Sequence, residues 1–254
     1  MGTPVEALRR ASGRGPWSGD PAGCIHLRRV ISNTSAAAFA PPGPLVSEAD
    51  AAALSLLRRF RCMSGAQLGE LAGVGVHSVR DLLRRMCRGG LADRLDFLSS
   101  RIPSLYVEGP CGRRLMGGPP VVEDWEPLRA LRLAASSQLY MLLWRLWGPF
   151  PVQIEPGGGL TAIFSAGAPF GVLVARLWPG ELDWARDAAR LSADIASVLV
   201  LVAGSREQAE ELGRVVRVSG MEIRLTWDGP LFHGRAEFWR PVSRGLEPVR
   251  LASS

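Results

Sequence analysis

The fold is decided by residues 47–97, which read SEADAAALSLLRRFRCMSGAQLGELAGVGVHSVRDLLRRMCRGGLADRLDF. Apolar residues recur at three- and four-residue intervals through most of this stretch, which is typical of amphipathic helices. Gly73 and Gly75 interrupt the pattern once, and Gly89 and Gly90 end it. The stretch therefore predicts three short helices, the last two joined by a glycine turn.

Two serines are placed to cap the first two helices. Ser47 precedes Asp50 by three residues, and Ser64 precedes Gln67 by the same interval. In a capping box the serine side chain accepts a backbone N–H of the first turn, and the side chain three residues later accepts the N–H of the serine. The helices are therefore expected to begin at these two serines.

The third helix has two chemically different faces, one apolar and one rich in arginine. Residues 91–107 then change to the alternating pattern of a β-hairpin. A helix–turn–helix followed by a hairpin is the order of a winged helix, whose third helix enters the major groove of DNA. The candidate DNA-binding residues are Ser64, Gln67, His77, Ser78, Arg80, Arg84, Arg85, Arg88, Arg94 and Arg101.

A solvated helix face is the alternative to DNA contact. In that case Asp81 and Glu70 would pair with the arginines of the third helix. The glycine turn and the following hairpin favour DNA contact. Recognition helices read bases mainly with their N-terminal part, so Arg85 and Arg88 are expected to contact phosphate.

The positive charge is concentrated in the N-terminal half of a chain whose net charge is +6. Residues 1–46 hold five arginines against two acids, and residues 47–120 hold eleven against seven. Residues 151–254 hold eleven arginines against twelve acids. Because DNA binding requires neutralisation of phosphates, we expect the DNA-binding surface in the N-terminal half.

Composition argues against several classes of enzyme and against a membrane location. All 30 basic residues are arginine, so neither a Schiff-base lysine nor a P-loop lysine is present. Cys24, Cys62, Cys87 and Cys111 lack the paired spacing of zinc ligands. No apolar run reaches the length of a bilayer span, and none follows the N-terminal arginines. We expect a cytoplasmic protein without a membrane segment, metal or cofactor.

The sequence predicts five segments. Many glycine, proline, serine and alanine residues predict a disordered tail over 1–46. A Gly-Gly-Pro-Pro boundary ends a winged helix-turn-helix domain over 47–117. A connector over 118–150 contains one long helix, from Glu126 to Trp147, that joins domains or forms a dimer interface. The last two segments are an α/β domain over 151–241 and a tail over 242–254.

Beyond Val152 the pattern alternates between strand and helix. Such alternation implies parallel pairing with right-handed crossovers. The predicted fold class is therefore α+β and α/β, with an N-terminal winged helix-turn-helix followed by a small α/β domain. The predicted strands are 160–165, 170–177, 198–203, 221–227 and 232–239, and the predicted helices are 181–195 and one capped by Ser205 and Gln208.

A combination of local motifs resembles a known family. The third helix ends in LLRRMCR, Gly90-Leu91-Ala92 forms the turn into the hairpin, and Tyr106, Val107 and Gly112 follow. In these features residues 50–117 resemble the winged-helix part of the replication-relaxation family, proteins of plasmids and mobile elements in Gram-positive bacteria. The resemblance implies binding of double-stranded DNA in replication, relaxation or transcriptional control.

The C-terminal region of that family resembles a restriction-endonuclease-like α/β fold. As a nuclease, such a fold carries an acidic residue on one strand and an acid-x-Lys pair on the next. Here Glu155 is followed by Gly157 and Gly158, and the next strand offers Ala175 and Arg176. Because two metal-binding carboxylates are not assembled, we expect a degenerate fold without catalysis. A metal-dependent nuclease is the alternative.

A protein-interaction module is a further alternative, because the long helix and the tryptophan-rich C-terminal half could form an interface. Glu181, Asp183 and Asp187 lie where the helix dipole favours acids, so they predict a helix start and not a metal site. The expected partner is double-stranded DNA, and the expected assembly is a homodimer.

Overall fold

The computed structural model describes residues 27–30, 47–97, 102–119, 124–175, 181–243 and 245–250. These residues form a mixed α+β protein with eight helices and two sheets. The chain divides into an N-terminal unit, residues 25–137, and a C-terminal unit that follows from Gln138. The division falls inside a helix and not at the glycine–proline segment that the sequence predicts as the boundary.

The N-terminal unit combines short helices with an antiparallel sheet. The unit ends within a long helix, α5 (Pro127–Trp147), which continues into the C-terminal unit. Its sheet has the strand order β1-β3-β4-β2. Its other elements are β1 (Leu27–Val30), α1 (Glu48–Phe60), β2 (Cys62–Ser64), α2 (Gly65–Leu71), α3 (Val76–Arg88), β3 (Ala92–Phe97), β4 (Leu105–Glu108) and α4 (Pro110–Leu115).

The predicted helix starts at both serines are confirmed. The Ser47 side chain accepts the N–H of Asp50, and the Asp50 carboxylate accepts the N–H of Ser47. Ser64 and Gln67 form the same reciprocal pair at the start of α2. After α3, Gly90 has a φ of 68°, a left-handed conformation that glycine adopts at low cost. Local sequence thus determines these helix ends.

The sheet contains a strand, β1, within the predicted disordered tail. β1 pairs antiparallel with β3, and Leu27 lies opposite Phe97. The predicted tail over 1–46 is therefore wrong for residues 27–30, because pairing with a strand distant in sequence orders this short segment. The rest of 1–46 lies outside the described residues.

The apolar faces of α1, α2 and α3 pack with the sheet into one core. β3 and β4 pair antiparallel, which confirms the predicted hairpin, and β2 pairs with β4. Val76, which the helical spacing groups with the apolar face of α3, is instead 71% exposed. The buried side chains include Leu54, Leu57, Phe60, Leu68, Val79, Leu82, Leu83, Met86, Leu95, Leu105 and Val107.

α5 confirms the predicted long helix. Between residues 130 and 143 every side chain is buried except those of Arg132 and Gln138, which are partly exposed. A helix that is apolar on all sides is typical of a protein interior. This stretch therefore offers no exposed face for a dimer contact. None of the described helices, α5 included, has both the length and the apolar character needed to cross a membrane.

The C-terminal unit is built on one mixed sheet of seven strands in the order β11-β10-β9-β8-β7-β6-β5. β7, β8 and β9 are parallel, as the alternating pattern predicts, and the remaining neighbours are antiparallel. The elements are β5 (Val152–Gly157), β6 (Leu160–Ala166), β7 (Ala168–Val174), α6 (Glu181–Leu191), β8 (Val198–Ala203), α7 (Arg206–Val215), β9 (Glu222–Trp227), α8 (Asp228–Phe232), β10 (Phe238–Val242) and β11 (Gly245–Val249).

Two predictions for the end of the chain are wrong. Residues 232–239 do not form one strand, because α8 ends at Phe232 and β10 begins only at Phe238. Residues 245–249 are not part of a tail, because β11 pairs antiparallel with β10. Pairing within the sheet therefore extends the domain beyond the predicted end at residue 241.

A cluster of aromatic side chains lies in the C-terminal unit. Phe164 is fully buried, and its ring meets those of Tyr140 and Phe170 edge-on at 5.7 Å between centroids. The Phe150 ring also packs against the Phe164 ring, with 5.7 Å between centroids. The carbonyl oxygen of Phe150 accepts a hydrogen bond from the Tyr140 hydroxyl at 3.1 Å. These edge-to-face contacts join β6 and β7 to the second half of α5.

Candidate nucleic-acid interface

α3 has one buried face and one exposed face. The buried face consists of Val79, Leu82, Leu83 and Met86, which fix the helix to the core of the N-terminal unit. The opposite face therefore points away from that core. It carries His77, Ser78, Arg80, Asp81, Arg84, Arg85 and Arg88, all of them exposed.

Two arginines of this face have no carboxylate partner among the residues that the structure describes. Arg80 and Arg88 form no ion pair with any residue that the structure describes. His77 and Ser78 lie near Arg80 in the first turn of α3, which contains no acidic residue, whereas Arg88 is the last residue of the helix. Because Arg80 and Arg88 retain their full charge toward solvent, both are available to an external polyanion.

Arg84 forms an ion pair within the same helix. Its Nη1 lies 3.1 Å from Oδ1 of Asp81, and the two side chains are 63% and 71% exposed. Exposed pairs of this kind contribute about 0–1 kcal/mol. Arg84 can therefore exchange the carboxylate for a phosphate at little cost.

Arg85, a predicted phosphate contact, is held by an ion pair with a buried carboxylate. Its Nη2 donates to Oδ1 of Asp50 at 2.8 Å, and the Asp50 side chain is only 7% exposed. Oδ2 of Asp50 also accepts the hydroxyl and the N–H of Ser47. Arg85 thus ties α3 to the start of α1. No local sequence pattern indicates this role of Asp50, because 35 residues separate the two partners.

The Asp50 carboxylate has a lowered pKa. Burial by itself would raise the pKa, but hydrogen bonds from Ser47 and Arg85 and the charge of Arg85 outweigh it. A carboxyl whose pKa is lower in the folded state stabilises that state above its unfolded pKa. This stabilisation disappears as the pH falls through the lowered folded value.

Asp50→Asn should therefore lower the free energy of unfolding at pH 7 by about 1–2 kcal/mol, since a charge-assisted hydrogen bond is lost. The difference from the wild type should shrink as the pH falls below about 4. Urea denaturation across this pH range measures it. Asp81→Asn, in the exposed pair with Arg84, is the control and should change little. A difference that persists unchanged into the acid range would contradict the assignment.

The hairpin carries a further arginine. Arg94 Nε donates to Oδ1 of Asp96 at 2.8 Å and to the hydroxyl of Ser104 at 3.1 Å. The network joins β3 to the residue before β4, so it stiffens the described part of the hairpin. Arg101, the other hairpin arginine of the prediction, lies outside the described residues.

Ser64 and Gln67 do not belong to an exposed surface. Their relative accessibilities are 5% and 1%. Besides the capping box, Gln67 Nε2 donates to the carbonyl oxygen of Ala134 at 2.9 Å. Their assignment as DNA-binding residues is therefore wrong, because their polar atoms are buried and already used to start α2 and join it to α5.

The described residues of the C-terminal unit assemble no group of acids suited to a metal ion. Among the described residues no three His, Cys, Asp or Glu side chains lie close enough to share one. Asp183 pairs with Arg186 at 3.0 Å, and Asp187 with Arg190 at 3.8 Å. Glu155 lies in the irregular part of β5 with a φ of 48°. Arg176 lies outside the described residues.

Comparison with known proteins identifies no relative: no family model matches the chain, and neither a curated protein nor a solved structure shows significant similarity to it.

Proposed function

We propose that the N-terminal unit is a winged helix-turn-helix that binds double-stranded DNA without catalysing a reaction on it. The order α1-β2-α2-α3-β3-β4 supports this proposal, since the hairpin follows the third helix directly. In the sheet, β2 pairs with β4, so the strand between α1 and α2 joins the hairpin to the helices. In this arrangement α3 is the recognition helix and β3–β4 the wing.

The exposed basic face of α3 is the observation that carries the proposal. Arg80 lies in the N-terminal half of α3, where a guanidinium can form the bidentate contact with guanine that is common in the major groove. His77 and Ser78 supply shorter polar contacts nearby. Arg84 and Arg88, further along, contact phosphates and set the register of the helix on the duplex.

A role in replication, relaxation or transcriptional control of a plasmid or mobile element completes the proposal. It rests on the motif resemblance of residues 50–117, in particular the turn Gly90-Leu91-Ala92 and the later Tyr106 and Gly112. The concentration of positive charge before residue 121 agrees with DNA binding by this part of the chain.

Arg80→Ala should weaken binding to a duplex of about 30 base pairs roughly tenfold at low salt, because a charge-assisted contact is lost. Arg88→Ala should lose one phosphate contact. The slope of log affinity against log salt should therefore decrease in magnitude by about one. Fluorescence anisotropy with a labelled duplex at several salt concentrations measures both effects.

Arg190→Ala is the matched control for this experiment. It removes the same charge from an exposed helix position in the C-terminal unit. Its affinity should equal that of the wild type. An affinity that does not depend on salt concentration, or an equal loss of affinity in all three variants, would refute the proposed role of α3.

We further propose that the C-terminal unit is a degenerate restriction-endonuclease-like domain without catalysis. Its mixed sheet, with α6 and α7 connecting parallel strands, is compatible with such an α/β fold. The residue types support the loss of activity: β7 is followed by Ala175, and the entire chain lacks the lysine of the acid-x-Lys pair. The domain would then contribute binding contacts and would not catalyse a reaction.

Supercoiled plasmid incubated with the protein and Mg²⁺ or Mn²⁺ should remain supercoiled on an agarose gel. A catalytic nuclease would need its carboxylates to position the metal and the attacking water. Nicked or linear products that disappear with EDTA would show that the unit is an active nuclease.

A further inference from the structure

The exposed face of α3 carries one acidic side chain, that of Asp81. It is the only acidic residue among the thirteen of this helix, which also contains four arginines. One line along the helix, with intervals of four, three and four residues, is formed by His77, Asp81, Arg84 and Arg88. All four side chains are exposed, and the line runs opposite the buried face. Asp81 therefore lies in the middle of the exposed face and not at its rim.

The Asp81 carboxylate has one partner among the residues that the structure describes, the guanidinium of Arg84. Oδ1 of Asp81 accepts a hydrogen bond from Nη1 of Arg84 at 3.1 Å, and the Asp81 side chain is 71% exposed. Such an exposed pair is weak. In the proposed function Arg84 contacts a phosphate, so its guanidinium leaves this pair when DNA binds. The carboxylate then faces the duplex without its partner.

Helix stability gives little reason for an acid at this position. Asp81 is the sixth residue of α3, beyond the first turn in which the helix dipole favours acids. Its exposed pair with Arg84 also contributes little to folding. Toward DNA, by contrast, the charge has a large effect, because a carboxylate is repelled by the phosphates. It lowers the affinity for every duplex that offers it no donor, and penalties of this kind create specificity.

The base edges of the major groove offer two kinds of donor to a carboxylate, which can only accept hydrogen bonds. These donors are the N4 amino group of cytosine and the N6 amino group of adenine. The adenine amino group lies beside the N7 acceptor of the same base, and this acceptor repels a carboxylate. Cytosine presents no acceptor of its own in this groove. Its amino group is therefore the better partner for Asp81.

We propose that Asp81 is a specificity-determining residue whose carboxylate accepts a hydrogen bond from the N4 amino group of a cytosine. This inference rests on the proposed function, since it requires α3 to lie in the major groove of a duplex. The preferred sites contain a G·C pair at one fixed position. Arg84 links recognition to phosphate binding, because it releases the Asp81 carboxylate when its guanidinium moves to a phosphate.

Selection from a pool of random-sequence duplexes, with sequencing of the bound fraction, tests the proposal on the full chain. The wild type should enrich cytosine at one position, and a site with another base there should bind about tenfold more weakly in fluorescence anisotropy. Asp81→Asn should change the enriched base from cytosine to adenine, because an amide offers an acceptor to N6 and a donor to N7. Asp81→Ala should lose the preference and bind the unselected pool several-fold more tightly at low salt, since a repelling charge is removed.

Asp183→Asn is the matched control for these variants. Asp183 is an exposed residue of α6 in the C-terminal unit, and it pairs with Arg186, three residues later, at 3.0 Å. The substitution removes the same charge from the same kind of helical pair. It should enrich the same bases as the wild type and bind the unselected pool with the same affinity.

The outcomes separate this inference from the proposed function. If the wild type binds duplex in a salt-dependent manner but Asp81→Asn enriches the same bases as the wild type, the inference is overturned and the proposed function stands. A wild type that binds every duplex with equal affinity overturns the inference as well. If the wild type binds no duplex, the proposed function fails and the inference fails with it.

Discussion

Phe164→Ala should lower the free energy of unfolding of the C-terminal unit by about 3–5 kcal/mol. Phe164 is fully buried and contacts three other aromatic rings, those of Tyr140, Phe150 and Phe170. The substitution removes the apolar area of the ring and leaves a cavity that the stiff neighbours cannot fill. Urea denaturation of the full chain, followed by near-ultraviolet circular dichroism, measures the loss.

Leu146→Ala is the matched control for this cavity. Leu146 lies on the same helix as Tyr140 but is 64% exposed. Its removal should change the free energy of unfolding by about 0.5 kcal/mol or less. If Phe164→Ala, like Leu146→Ala, unfolded at the same urea concentration as the wild type, the aromatic cluster would not stabilise this unit.

Gly112→Ala should destabilise the N-terminal unit by about 3 kcal/mol or more, because the new methyl group has no room. A Cβ on Gly112 would overlap the carbonyl oxygen of Leu91 and lie 2.7 Å from Cδ1 of Leu54. The Leu91 carbonyl cannot retreat freely, since it accepts the N–H of Gly109. Thermal unfolding measures the change.

Gly89→Ala provides the control for Gly112→Ala. Gly89 has a φ of −81°, and the nearest atom to a Cβ built there is 3.5 Å away. Alanine fits this position, and it should leave stability unchanged or raise it by up to about 1 kcal/mol. Equal unfolding temperatures for the two variants would show that the approach of α4 to the turn after α3 is not tight.

Local patterns predict the helices of the N-terminal unit well. The capping boxes at Ser47 and Ser64 and the glycines after α3 each act within one helical turn, so a short window contains the whole cause. The hairpin and the parallel strands also follow from periodicity. By contrast, β1 depends on β3, a strand distant in sequence, and no local pattern shows this partner.

The same distinction applies to the candidate interface. The exposure of Arg80 and Arg88 follows from the helical spacing of their apolar neighbours. The tie between Arg85 and Asp50 does not, since it joins two helices, and neither does the burial of Gln67 under α5. A polar residue in a capping position can serve the backbone alone, and only the packed structure distinguishes this use from ligand binding.

The pairing of β1 with β3 has a practical consequence for the study of isolated parts of the chain. A fragment that starts at Ser47 would retain α1, α2 and α3 but lose the neighbour of β3. The unpaired N–H and C=O groups of β3 would then form an open sheet edge, which readily recruits strands from other molecules. Self-association of such a fragment would reflect the truncation and not a natural assembly, so a faithful fragment must begin before Leu27.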